Sequence, residues 1–174
     1  MLGHLIFTVA GTGALRERLE KLASELNVGG RVTFLGYVPE DELAALYCAA
    51  DCFVLAAAAE LQSIATMEAM ASGLPVLAAD AVALAELVHN GANGYLFEPG
   101  NVGMVAGHLT SVFTDSALRR AMGGESLRLI QNHAITRTME EFERSYAEAI
   151  RRREATGAHC APNLRRTSAA PFIR

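Results

Sequence analysis

The sequence predicts an α/β fold: a parallel sheet with helices on both faces, followed by carboxyl-terminal helices. Three observations predict it. Short apolar runs containing β-branched residues (LIFTVA, RVTFL, DCFVL, PVLAA) alternate with stretches of helical period. The runs are close to continuously apolar, as strands covered on both faces require. Glycines and prolines punctuate most of the joins.

The first strand, residues 4–10, runs into Gly11-Thr12-Gly13. Residues 14–26 place leucines at 15, 19, 22 and 26 with charges between them, one apolar face of a helix. Gly29-Gly30 ends that helix, and residues 31–35 form a second strand closed by Gly36. Pro39 opens a helix over 39–50, with Glu40, Asp41 and Glu42 in the first turn where the helix dipole favours acids. Residues 51–55 are a third strand and 56–62 a loop. Ser63 caps a helix over 64–72 that stops at Gly73. Residues 75–79 are a fourth strand, 84–89 a short helix, 90–94 a turn and 95–97 a fifth strand. From 101 to about 153 the pattern is helical, in three pieces.

Composition narrows the function classes. The chain has 174 residues, about one domain's worth. Its net charge is −4, which disfavours a general nucleic-acid coat. Tryptophan is absent and aromatics make up 6%, too few for base stacking along a single strand. No run reaches the ~18 apolar residues of a membrane span, and the first ten residues lack a basic signal-peptide start. Cys48, Cys52 and Cys160 form neither a disulfide framework nor a CxxC motif, which fits a reducing cytoplasm. Cys48 and Cys52 read as small core hydrophobes. The five histidines show no metal-ligand spacing.

Charge is unevenly spread. Residues 1–150 carry 9 basic and 18 acidic side chains, a net of −9. Residues 151–174 carry six arginines and one glutamate, a net of +5, with no apolar period. The chain thus divides into a folded domain, 1–150, and a basic, disordered tail, 151–174. The tail is solvated, with an anionic membrane surface as its alternative contact. That contact would make a cytoplasmic protein peripheral at the inner membrane face. Lys21, the only lysine, lies on the charged side of its helix.

Parallel α/β sheets bind ligands beyond the carboxyl ends of their strands, so the loops there carry the chemistry. Gly11-Thr12-Gly13 permits close approach of an anion to the next helix. Arg16 stands where a dinucleotide fingerprint needs its third glycine, and no phosphate-cradling GK[ST] motif occurs. The segment ELQSIATMEAMASGLPV, residues 60–76, is the strongest signal. On one continuous helix Glu60 and Glu68 would lie ~12 Å apart along the axis, which excludes a shared-proton pair. With Glu60 in the loop and Glu68 in the helix, they can touch two ends of one extended ligand. Glu68 lies on or beside the apolar face marked by Ile64, Met67 and Ala71, so its carboxylate needs a partner. Two vicinal ribose hydroxyls would serve, and so would a backbone or arginine partner. The amides of residues 63–65 offer an anion site at the helix start.

This segment resembles the family-4 retaining glycosyltransferases of the GT-B fold. The resemblance extends to VAGTG (9–13), RVTFLGYVP (31–39), LYCAADCFVL (46–55), LAELV (84–88) and NGANGYLFEPGN (90–101). It covers about residues 5–150, the Rossmann-like, carboxyl-terminal donor-binding half of the GT-B architecture. It implies roles by position. Glu68 would hold the ribose hydroxyls and Glu60, the catalytic-site carboxylate, the hydroxyls of the donor sugar. The backbone of Gln62, Ser63 and Ile64 would face sugar and diphosphate. Gly36, Tyr37 and Val38 would pack on the base, and Gly11 and Gly13 would shape the cleft floor. The implied substrate is a UDP-sugar or GDP-sugar, with no metal and no other cofactor. Transfer would go to a lipid or glycan acceptor with retention of configuration.

The chain departs from that pattern in two respects. Ala56-Ala57 replace the usual Pro-Ser, and Leu61, Gln62 and Ser63 replace the usual glycine-flanked aromatic. The arginine and lysine that clamp the diphosphate, and the amino-terminal acceptor domain, are not among these residues. The resemblance therefore implies a donor domain that is inactive alone, partnered by a separate acceptor domain, with exposed helices free to self-associate. Three alternatives are a non-catalytic nucleotide-sugar module, a sugar-nucleotide epimerase and a nicotinamide oxidoreductase. Arg16 and the absence of an acid after Leu35-Gly36 disfavour the last.

Overall fold

The computed structural model describes residues 5–156. The chain divides into two compact units, one up to Asn132 and one from His133. The first alternates strand and helix: β1 (Phe7–Ala10), α1 (Arg16–Glu25), β2 (Val32–Gly36), α2 (Glu40–Ala49), β3 (Phe53–Leu55), α3 (Ile64–Ala71), β4 (Val76–Ala79), α4 (Leu84–Leu87) and β5 (Gly94–Phe97). Two longer helices, α5 (Val102–Thr114) and α6 (Ser116–Ile130), follow. All strand pairing is parallel, and helices flank the strands, as the apolar runs predict.

The strands form two sheets where one was expected. β1 pairs with β2, with Phe7 opposite Val32, while β4 lies between β3 and β5, with Val76 opposite both Phe53 and Gly94. β1 and β3 each have one hydrogen-bonded neighbour strand among the described residues.

The core gathers around β4. Val76, Leu77, Ala78 and Ala79 are wholly buried, and Met70, Leu84, Val88, Phe97, Val112 and Met122 close over them. PVLAA is apolar on both faces because both faces are covered. Asn93 locks the turn into β5: its Oδ1 accepts from His89 N–H at 2.7 Å and its Nδ2 donates to the Leu87 carbonyl at 3.0 Å.

Burial departs from the sequence pattern at three places. Leu15, Leu19, Leu22 and Leu26 of the α1 region are exposed, and only Ala23 of α1 is buried. A two-stranded sheet offers too little surface to cover a helix face. On α3 the buried line is Thr66, Ala69 and Met70; Ile64 and Ala71 are exposed and Met67 is half-buried. Thr66 can be buried because Ser63 Oγ donates to its Oγ1 at 2.8 Å. Cys48 is exposed on α2, whereas Cys52 is half-buried at the start of β3. The turn of α2 that buries Tyr47 points its neighbour outward.

The second unit contains α7 (Ile135–Thr156), on which Ile135, Met139, Phe142, Tyr146 and Ile150 recur every three or four residues and are exposed. The helix extends through residues 151–156 of the basic segment. The remainder of that segment, 157–174, with its expected membrane contact, lies outside the described residues.

Candidate functional site

Every expected site residue except Glu68, which lies within α3, follows a strand at its carboxyl end or opens the next helix. Gly11 and Gly13 follow β1, Gly36 closes β2 before Tyr37 and Val38, and Glu60 to Ser63 follow β3 and lead into α3.

The first two loops are tied together. Gly11 N–H donates to the Gly36 carbonyl at 2.7 Å. Both glycines hold positive φ, +130° and +74°, a conformation that a Cβ disfavours. Arg16 shares this corner. Its Nη2 donates to the Phe34 carbonyl at 3.0 Å and its Nε to Glu20 at 2.8 Å. A Cβ at Gly36 would stand 3.1 Å from its Nη1. Arg16 thus braces the end of β2, a role invisible in a glycine-spacing argument. Gly13 accepts from Arg16 N–H at 3.2 Å.

Ser63 caps α3 as the sequence indicates: its side chain accepts from Thr66 N–H at 3.3 Å. Ile64 and Ala65 open the helix, where no preceding helical carbonyl exists to receive their amides. Gln62 is exposed and Ser63 buried. The backbone carbonyl of Glu60 accepts from Ala83 N–H at 3.3 Å, joining the β3 loop to the β4 loop. Val82 in that second loop has φ +42°, an unusual conformation for a β-branched residue.

Glu68 sits half-buried on α3. Its partner is the hydroxyl of Tyr47, which donates to Oε2 at 3.2 Å from α2. Tyr47 is buried and packs edge-on against Phe53 of β3, ring centroids 5.9 Å apart. Burial first, then the Glu68 charge and hydrogen bond, push the phenol up to about 12, so it stays a donor. The residue was invisible as a site group in the sequence, where it reads as one apolar position of a helix. Its one signal is a polar-tipped aromatic among alanines and leucines.

A cavity of about 870 Å³ opens between β1 and β3. Gly11, Tyr37, Val38, Tyr47 and Ala65 help line it, whereas Glu60, Glu68 and the Gln62–Ile64 stretch do not. The base-side loops and the foot of α3 therefore share one recess, with the two carboxylates outside its lining. Among the described residues no cluster of three or more His, Cys, Asp or Glu side chains could hold a metal ion. No described helix is long and apolar enough to cross a membrane.

Comparison with known proteins matches this geometry to a family. The model of the family described as glycosyl transferases group 1 matches residues 2–127. The chain is 32% identical over 140 residues to a D-inositol 3-phosphate glycosyltransferase of Corynebacterium efficiens, covering 80% of this chain and 33% of that protein. It is 36% identical over 111 residues to an uncharacterized glycosyltransferase of Methanocaldococcus jannaschii, covering 64% and 28%. Sucrose-phosphate synthase from Thermosynechococcus elongatus superposes with a TM-score of 0.72 at 30% identity, over 82% of this chain and 38% of that one. Anabaena HepE, solved in complex with UDP, shares the fold with a TM-score of 0.74 at 23% identity, over 84% and 42%. The chain spans about a third of the length of these curated relatives.

Proposed function

The chain belongs to the glycosyl transferases group 1 family, and we propose that it is the donor-binding part of a transferase acting with retention of configuration. In this reading the donor is a UDP-sugar or GDP-sugar and the acceptor a lipid or glycan. The α3 site carries the reading: a capped helix start beyond β3, with a carboxylate one turn further on held by a buried phenol.

Glu68 takes the ribose hydroxyls, since an ionised carboxylate only accepts hydrogen bonds and a vicinal diol donates two. Glu60 takes hydroxyls of the sugar. The backbone of Gln62, Ser63 and Ile64 meets sugar and diphosphate, where the positive end of the α3 dipole stabilises the leaving charge without a metal. Gly36, Tyr37 and Val38 pack on the base, and Gly11 and Gly13 form the floor. The fold neighbour solved with UDP and UDP-glucose supports this donor class. A separate acceptor-binding part, supplying cations for the diphosphate, completes the enzyme. Coverage of about a third of each relative supports that division.

Calorimetric titration of the chain with UDP, GDP and NADH tests the reading. A nucleoside diphosphate is expected to bind, and Glu68→Ala to weaken it by about tenfold or more, the scale of a lost hydrogen bond to a charged group. Binding of NADH alone, or an affinity unmoved by Glu68→Ala, would overturn it.

A further inference from the structure

We infer that Tyr47 is a positioning residue for the ribose: its hydroxyl, spent on one oxygen of Glu68, sets the carboxylate so that the other oxygen faces the ligand. The inference rests on the ribose role of Glu68 proposed above.

Two helices make the arrangement. Glu68 rises from α3 and Tyr47 from α2, and the bond between them spans 21 residues of sequence. A glutamate on a half-exposed helix face has three rotatable torsions and loses that freedom when a ligand orders it. Tyr47 has no such freedom to lose. Its ring is buried and set edge-on against Phe53, with an interplanar angle of 62°. The phenol therefore presents its single O–H in one direction, and Glu68 Oε2 lies there at 3.2 Å. The neighbouring backbone is fastened as well: the Glu68 carbonyl receives the Ser72 hydroxyl at 3.0 Å.

The donor count makes this a device for selecting hydroxyls. A carboxylate has about four lone-pair sites. Tyr47 takes one on Oε2, and no other side-chain hydrogen bond to this carboxylate is found among the described residues, which leaves Oε1 and one site beside it for a ligand. Two adjacent hydroxyls on a furanose ring fit that remainder, each donating one hydrogen. Tyr47 offers the ligand no hydrogen, because its own is directed at Glu68. A ligand with one hydroxyl missing leaves an acceptor of a fixed carboxylate unmatched, and the fixed carboxylate cannot turn to compensate. A freely rotating glutamate could. The expected signature of Tyr47 is therefore the preference for ribose over deoxyribose, beyond its effect on affinity as such.

The test compares the wild-type chain, Tyr47→Phe and Phe53→Leu by calorimetry. Ligands are UDP and GDP, each beside its 2′-deoxy analogue. The wild type is expected to prefer the ribose form by about tenfold. Tyr47→Phe, which keeps the buried ring, is expected to bind both forms within about twofold. Phe53→Leu, which keeps the hydroxyl but removes the ring contact that helps to set it, is expected to keep the preference in part, between the wild type and Tyr47→Phe. A Tyr47→Phe protein that folds and keeps the full preference overturns the inference and leaves the ribose role standing. A wild type with no preference removes the ribose role itself, and the inference with it.

Discussion

Gly123 of α6 lies directly against the carbonyl of Gly73. A Cβ built on Gly123 would stand 2.2 Å from that oxygen, closer than any real contact allows. Three residues along the helix, Ser126 Oγ donates to the Leu74 carbonyl at 2.7 Å. These two small side-chain positions seat α6 on the turn that joins α3 to the buried strand β4.

Gly123→Ala is therefore expected to destabilise the chain by about 2–3 kcal/mol, because backbone, not a flexible side chain, must yield. Gly124 has open space around its Cα. Gly124→Ala should instead stabilise by up to about 1 kcal/mol through helix propensity. Urea denaturation of the pair checks both signs. Equal effects would mean that α6 does not sit so close.

Ser63→Ala removes the acceptor of Thr66 N–H and the donor to Thr66 Oγ1 in a buried setting. A cost of about 1–2 kcal/mol is expected. Thermal melting measures it, and an unchanged midpoint would mean that α3 starts without this cap.

Val82 holds φ +42° in an exposed loop beside the residue that bonds the Glu60 carbonyl. Asparagine tolerates that backbone region and valine does not. Val82→Asn should raise stability by about 1 kcal/mol as strain of that order is relieved. A melting temperature that falls would contradict the strained geometry.

Two weak acids, buried Tyr47 and half-buried Cys52, predict the alkaline limb of stability. Burial pushes the Cys52 thiol from 9.0 to about 12, with Arg119 opposing and Asp51 assisting, and burial with the Glu68 charge pushes Tyr47 from 10.0 to about 12. Both are neutral when protonated, so between pH 9 and about 12 the unfolded chain holds fewer protons than the native one. Their contribution is full below about pH 9 and is lost as pH rises through about 12. The urea midpoint should fall between pH 8 and 11, and less steeply in Cys52→Ala or Tyr47→Phe. In a Cys160→Ser background a thiol reagent at pH 8 should label exposed Cys48 ahead of Cys52. A flat midpoint, or labelling of Cys52 first, would show that this region opens.

Much of the fold was legible in local sequence. The apolar runs, the proline and acids before α2, Ser63 before α3 and Gly73 after it placed those elements within a few residues of where they lie. Such signals act over a few residues, through torsions, caps and the helix dipole, and so survive without tertiary information. The expected apolar line of α3 was displaced onto Thr66, Ala69 and Met70, because a serine–threonine hydrogen bond lets a polar residue face inward. The leucines of the α1 region mark one apolar face of a helix and are exposed, since periodicity says that a helix has two faces and not that a neighbour covers one.

By itself, then, the sequence determined the order of elements, the loops that bear the candidate site and the two glutamates that mark it. Tertiary structure alone decided that Tyr47 holds Glu68, that Arg16 braces Gly36, that α6 needs a glycine against Gly73, and that the strands divide into two sheets. The physical reason is range. Caps and periods are set by neighbours in the chain, while a hydrogen bond across 21 residues or a close backbone approach across 50 exists only once packing has brought the partners together.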